Sequence, residues 1–496
     1  MRTHMIKKEP IVGRKYEKEK LEKAYNSKRA ELIAVFGRRR VGKTFLIRSF
    51  FSRKSGTFFQ VTGIHKGTAN VQLKEFTKEI KNVFFPRSAK LDPPKSWMEA
   101  FELLTETIKQ QDSKKKIVLF FDELPWMAIR SSKLLQAFEY YWNRFWVSMP
   151  NIKLVVCGSA TSWIINNIIK NKGGLHNRVT LRLPIEPFTL AETKLFLDHE
   201  GVKYDNYQTL QLYMCIGGIP YYLTMLDKGF SAIQNINRMC FQKRGNLSDE
   251  FNLLFSSLFN NAELYEIIIK IIASKREGVS REEIEHGVKY KGGRLTQRLS
   301  ELEQIGFITS FTQWGREKKG IYYKIIDEYI LFYLTWIAPG AKARITKEVT
   351  SKYWEEVSQT QAWKSWAGYA FEAVCFKHIN LIRKALHIPD GAEAYMWKHI
   401  PKTGAEIQLG AQIDLVFDRS DGIINICEIK YSKTPYIIDK DGARILLNKV
   451  QIYRDVTKIN KLIFISLITT FGLKNTINSE KIITSTATLD DLFKHD

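Results

Sequence analysis

At 496 residues, 44% hydrophobic and 12% aromatic, the chain is long enough for three or four packed domains and is not a disordered polyelectrolyte. Its net charge of +24 points to a polyanionic partner, with nucleic acid first and a membrane surface as the rival. Five scattered cysteines (Cys157, Cys215, Cys240, Cys375, Cys427) form no C-x-x-C pair and no apolar stretch reaches 18 residues, which argues against a disulfide or zinc framework and against a membrane span; with no apolar run after Met1-Arg2-Thr3-His4, a signal peptide is not expected and the expected location is cytoplasmic.

In chain order, the first readable segment is Ile11-Val12-Gly13-Arg14-Lys15-Tyr16-Glu17. It resembles the V-G-R-x-x-E box that opens many AAA+ and STAND ATPases, where the box lies against adenine, so Gly13 and Arg14 are expected at the nucleotide. Glu31–Phe36 reads as a short buried strand, and Phe45 opens a helix. Between them, Gly37-Arg38-Arg39-Arg40-Val41-Gly42-Lys43-Thr44 fits G-x-x-x-x-G-K-[ST] at every fixed position. A strand, a glycine loop and a helix start are what a phosphate-binding loop needs. The glycines turn backbone N–H groups inward, and the helix N-terminus favours negative charge. Lys43 is expected at the β- and γ-phosphates of ATP and Thr44 on Mg²⁺.

Lys116–Phe121 is an apolar run typical of a strand buried on both faces, and it ends in Asp122-Glu123. Asp122 is expected to hold Mg²⁺ through water and Glu123 to polarise the attacking water. A further strand, Lys153–Cys157, runs into Gly158-Ser159-Ala160-Thr161. Ser159 is the first choice for a γ-phosphate sensor and Thr161 the second. Arg178, in Gly173-Gly174-Leu175-His176-Asn177-Arg178, is read either as an arginine finger acting across a homo-oligomer or as a surface cation. Helices from Thr189 to Phe255 form an expected lid, broken at Gly217-Gly218, which offers either a tight contact or a hinge.

Gly-Arg-Arg-Arg-Val-Gly-Lys-Thr, Asp-Glu-Leu-Pro-Trp, Gly-Gly-Leu-His-Asn-Arg, Pro-Phe-Thr-Leu-Ala-Glu and Gly-Gly-Ile-Pro-Tyr-Tyr-Leu occur in that order. Together they resemble the archaeal-ATPase family of prokaryotic AAA+/STAND-type P-loop ATPases, over almost the whole chain. The resemblance implies an ATPase core, a helical lid, a winged helix and a C-terminal nuclease-like domain.

The residues themselves support the last two. Ser280 and Glu283 make a capping box. Leu295, Leu299 and Leu302 form an inward face, with Arg294, Gln297 and Arg298 facing away. A basic hairpin with Lys318 and Lys319 follows. Helix, turn, helix and hairpin read as a winged helix, which either carries Arg294, Gln297 and Arg298 into a DNA groove or packs against protein.

Further on, a helix from Trp366 to Cys375 carries Glu372 near its start, and the strands around Asp414 and Glu428-Ile429-Lys430 are joined by a turn at Ser420-Asp421-Gly422. Period-two spacing puts Glu428 and Lys430 on one face. Two carboxylates and an ammonium at one sheet end suit Mg²⁺, with Glu372 as a third ligand and Lys430 beside the transition state. This resembles the PD-(D/E)xK nuclease superfamily, with Ile413 in place of the usual proline. Gln451, on a following helix, is a weaker candidate.

The expected fold is thus multidomain α/β. Residues 1–186 form a P-loop NTPase core with a parallel sheet and 187–258 a helical lid. Residues 259–342 form a winged helix-turn-helix and 343–496 a restriction-endonuclease-like α/β domain. The expected activity is ATP-dependent DNA binding and Mg²⁺-dependent cleavage. The alternative is a non-cutting ATP-switched DNA- or protein-binding regulator.

Overall fold

The computed structural model describes residues 10–86, 88–129, 131–259, 261–288, 292–312, 321–339, 352–401 and 409–494. Two compact units emerge, Met1–Pro187 with Ser300–Ile305, and Phe188–Leu299 with Gly306–Asp496.

In the first unit, five strands make one all-parallel sheet: β1 (Glu31–Phe36), β2 (Thr57–Thr62), β3 (Ile117–Asp122), β4 (Ile152–Gly158) and β5 (Leu181–Pro184). Their order is β2-β3-β4-β1-β5. Every residue of β3 and β4 is buried, which explains why their sequences lack polar alternation. On one face Phe76, Trp97, Phe101, Phe121, Phe138 and Trp146 form an aromatic core. The Trp146 indole N–H finds its acceptor inside that core, at Thr105 Oγ1, 3.0 Å away.

The strand order decides where the chemistry meets. β4 lies between β1 and β3, pairing Phe36 with Gly158 on one side and Phe121 with Val156 on the other. The ends of three strands therefore open onto one edge, the carboxyl edge where parallel sheets present their sites.

The second unit begins with helices Leu190–Glu200 and Asn206–Ile216, the first closed by a capping box between Thr189 and Glu192. At Gly217-Gly218 the choice between contact and hinge is settled: a Cβ on Gly218 would stand 2.0 Å from Phe188 O, and Phe188 N donates to Gly218 O at 2.7 Å. The glycine permits close backbone contact.

A small antiparallel sheet follows, in the order β6 (Val279–Ser280), β8 (Ile321–Ile325), β7 (Ile308–Thr312). Helices Ala262–Ala273, Arg281–Val288 and Gly293–Ile305 accompany it. Ser280 and Glu283 cap each other at 3.2 and 2.8 Å. Leu295, Leu299 and Leu302 are buried, while Arg294 and Gln297 are exposed. Lys318 and Lys319 lie outside the described residues.

The remaining sheet is mixed: β9 (Glu393–His399), β10 (Ala411–Asp418) and β11 (Ile423–Lys430) run antiparallel, then β12 (Leu462–Thr469) and β13 (Ile483–Thr488) continue parallel to β11. The helix bearing Glu372 spans Gln361–Lys377, capped by Thr360, so Glu372 lies in its second half and not near its start. The reason is local: Trp363 and Trp366 are buried and stack at 4.9 Å, which draws the preceding turn into the helix.

Candidate functional site

The phosphate loop is built by backbone conformation. Gly37 has φ +141°, and a Cβ there would stand 2.2 Å from Ile185 O. Gly42, at φ +87°, is the N-cap of the helix Lys43–Phe51. Lys43 is buried and donates to Gly37 O at 2.8 Å and Arg38 O at 2.7 Å. Burial lowers its pKa, against the opposing pull of Glu123 and Asp122.

Thr44 Oγ1 lies 3.0 Å from both carboxylate oxygens of Asp122, so the residues expected around Mg²⁺ meet across the sheet edge. Burial raises the Asp122 pKa, and the Thr44 hydrogen bond opposes that. Glu123 has φ +48° and accepts from both the backbone N–H and the hydroxyl of Ser159, each at 3.0 Å. Of the two sensor candidates, Ser159 is therefore the one joined to Glu123; Thr161 is buried with its hydroxyl unpaired among the described residues. A glycine loop leading into a helix N-terminus, with a lysine and a Thr–Asp pair beside it, suits a triphosphate and a hard cation.

Arg14 does something the sequence does not show. Its guanidinium is buried, bonding Glu17 Oε1 and Val41 O, both at 3.1 Å, so the Val-Gly-Arg box braces the phosphate loop. Arg38 is buried, and Arg178 is exposed on the turn before β5. Gly63 was not singled out by its motif. A Cβ there would stand 2.5 Å from Glu123 O, and its N–H donates to Asp122 O at 2.9 Å, so it holds the acidic strand end; the only signal in the sequence is a glycine just after β2.

A second polar site lies in the second unit. The β9–β10 register shifts between Ile413 and Val416, an irregularity that sets the aim of Asp414. Asp414 Oδ2 accepts from Ile429 N at 2.9 Å. A cavity of about 720 Å³ is lined by Asp414, Glu372, Lys430, Lys324 and Tyr369 among others. Burial, then the neighbouring Asp414, pushes the Glu372 carboxyl up to about 7. Burial, then Glu428, pushes Asp414 up to about 6. Burial and a neighbouring like charge each disfavour the ionised form of a carboxyl group.

Glu428 departs from the expected ligand set. Lys430 Nζ reaches its Oε1 at 2.7 Å, and Lys449 Nζ reaches both of its oxygens at 2.9 and 2.7 Å. Burial alone would raise its pKa, but the two ammonium groups outweigh that and lower it. Among the described residues no three His, Cys, Asp or Glu side chains form a group able to hold a metal ion. Of the expected ligands Glu372, Asp414 and Glu428, the first two line the cavity, while Glu428 anchors two lysines. Gln451 is exposed and bonds Asp455 at 2.9 Å, whereas Lys449, from the same helix, reaches the site. Carboxylate oxygens are the kind of ligand a hard cation takes.

Residues 11–226 match the model of an ATPase domain found predominantly in Archaea. The match marks this stretch as an ATPase domain, to which ATP binding and hydrolysis belong. An uncharacterized protein of Methanocaldococcus jannaschii is 25% identical over 472 residues, covering 91% of this chain and 92% of its own. A second protein of that organism, described as ATP-binding, is 54% identical over 44 residues, 9% of this chain and 75% of its own. Among solved structures, a Walker-type ATPase of Pyrococcus abyssi aligns at 20% identity over 65% of this chain and 96% of its own, with a TM-score of 0.46. Among the described residues no helix is long and apolar enough to cross a membrane.

Proposed function

We propose that this protein couples ATP hydrolysis to the binding and cleavage of DNA. In the first unit, Lys43 leaves the Gly37 and Arg38 carbonyls for the β- and γ-phosphates, which replace two neutral acceptors with charged ones. Thr44 and Asp122 would hold Mg²⁺, whose chemistry there would be to neutralise charge on the phosphates. Glu123, held by Ser159, orients the attacking water, and Arg178, on the exposed turn, is available to a neighbouring subunit.

In the second unit, the small sheet and its helices act as a winged helix, presenting Arg294 and Gln297 to DNA. Residues 343–496 act as a PD-(D/E)xK nuclease. Mg²⁺, held by Asp414 and Glu372, would supply a polarised water at the phosphodiester. Lys430, positioned by Glu428, stabilises the charge that develops there.

The observation that supports cleavage is that Asp414, Glu372 and Lys430 line one cavity. The test is incubation of the protein with plasmid, Mg²⁺ and ATP. Nicking that is lost in Asp414→Ala supports the reading, and intact plasmid, or equal nicking by that variant, overturns it. A second reading, a non-cutting ATP-switched regulator, is favoured by the occupation of Glu428 by two lysines. A salt-sensitive mobility shift without fragments would mark it.

A further inference from the structure

Of the cations of the second cavity that no role above uses, Lys324 is the buried one. Lys324 sits in β8, within the small antiparallel sheet, and is only 6% exposed. Its ammonium lies 4.6 Å from the Tyr369 ring centroid and 5.9 Å from that of Phe376. No hydrogen-bond acceptor is recorded for it among the described residues; Glu372 and Asp414 act on it only by charge.

A buried ammonium is ordinarily compensated by a directly bonded carboxylate or carbonyl. The buried lysines Lys43 and Lys153 show that pattern in this same chain, each bonded to backbone carbonyls. Lys324 instead has a ring beneath it and a cavity before it. A cation in that position lacks one strong acceptor, and it lines the same cavity as the carboxyl groups of Glu372 and Asp414.

The rest of the wall narrows the choice of acceptor. Lys275, Arg276, Lys398 and Lys430 also line the cavity beside Glu277, Glu283, Glu372 and Asp414, so with Lys324 its cations outnumber its carboxylates by one, and Lys275 and Lys398 are already paired with Glu283 and Glu277. Phe311 and Tyr322, stacked at 5.9 Å, line it too and are partly exposed, which offers a ring face. A volume of about 720 Å³ suits one or two nucleotides and not a duplex.

We propose that Lys324 anchors a phosphate of single-stranded nucleic acid in this cavity, with a neighbouring base on Phe311 and Tyr322. Bases stack on aromatic side chains whatever their identity, so the site takes a strand end or an unpaired stretch without regard to sequence. The inference rests on the nucleic-acid reading of this unit, but not on cleavage.

The test is binding of a fluorescent ten-nucleotide oligothymidine to the full chain in EDTA, so that cutting plays no part. Lys324→Met removes the charge and keeps most of the volume; Lys324→Arg keeps the charge. The expected result is about tenfold weaker binding by the Met variant, a shallower salt dependence by about 0.7 of a log unit per log unit, and recovery by the Arg variant. Equal affinity and slope in parent and Met variant would overturn the proposal, provided both melt alike. Equal binding of a ten-base-pair duplex, with the same dependence on Lys324, would overturn the single-strand assignment. Loss of plasmid nicking in Asp414→Ala with oligonucleotide binding intact separates the two readings.

Discussion

Replacing Gly37 by alanine probes the phosphate loop without touching a functional side chain. The added Cβ would lie 2.2 Å from Ile185 O, about 0.8 Å inside the 3.0 Å that Cβ atoms essentially never breach. The carbonyl cannot easily swing away, because Ile185 N donates to Phe36 O at 2.7 Å and β1 pairs with β5 up to Phe36 and Pro184. The backbone is also strained for any other residue, at φ +141°. Forced conformation of this kind costs about 1–3 kcal/mol, and a weakened hydrogen bond adds about 1 kcal/mol. A loss of roughly 2–4 kcal/mol in a domain of this size lowers the melting temperature by roughly 5–12 °C.

Gly42 is the internal comparison. It too has positive φ, +87°, but a Cβ there meets nothing within 4 Å. Gly42→Ala should therefore cost only about 1–2 kcal/mol for its backbone conformation. Thermal unfolding of the three proteins without nucleotide should rank parent, Gly42→Ala, Gly37→Ala from most to least stable. If Gly37→Ala melts with the parent, or above Gly42→Ala, the contact with Ile185 does not set the loop.

Glu123→Gln should bind ATP as the parent does and hydrolyse it about 100-fold more slowly, and Ser159→Ala should show a smaller loss in the same direction; phosphate release against nucleotide binding separates the two effects. Lys153 is wholly buried, donating to Ser27 O at 3.1 Å and Ser27 Oγ at 2.9 Å, and burial lowers its pKa to about 8, with Lys116 adding to the shift. Because its folded pKa lies below the unfolded value, the unfolded chain holds more protons between them, and stability rises with pH there. Urea melts should show the parent gaining on Lys153→Met by up to about 1.4 kcal/mol per pH unit from pH 8 to 10, with a flat difference below pH 7. A difference that falls over that range would contradict the assignment.

Some of this protein could be read along the chain, because the relevant geometry is local. The loop from Gly37 to Thr44 takes its shape from its own φ angles and the helix that follows, and Glu428 and Lys430 share a face because strands alternate with period two. The burial of β3 and β4 on both faces was likewise legible in their unbroken apolar runs. The partnerships across the fold were not. Ser159 reaches Glu123 because β4 is inserted between β1 and β3, and no spacing records strand order. Lys449 and not Gln451 meets Glu428 because two residues of helix differ by about 200° of rotation, and only packing against the sheet decides which side turns inward. Lys324 and Tyr369 come from separate elements, and only the folded second unit places ammonium over ring. Residue types and their local turns were thus set by sequence, whereas which charges neutralise one another was decided by tertiary packing, since electrostatic partners are chosen by distance in space and not along the chain.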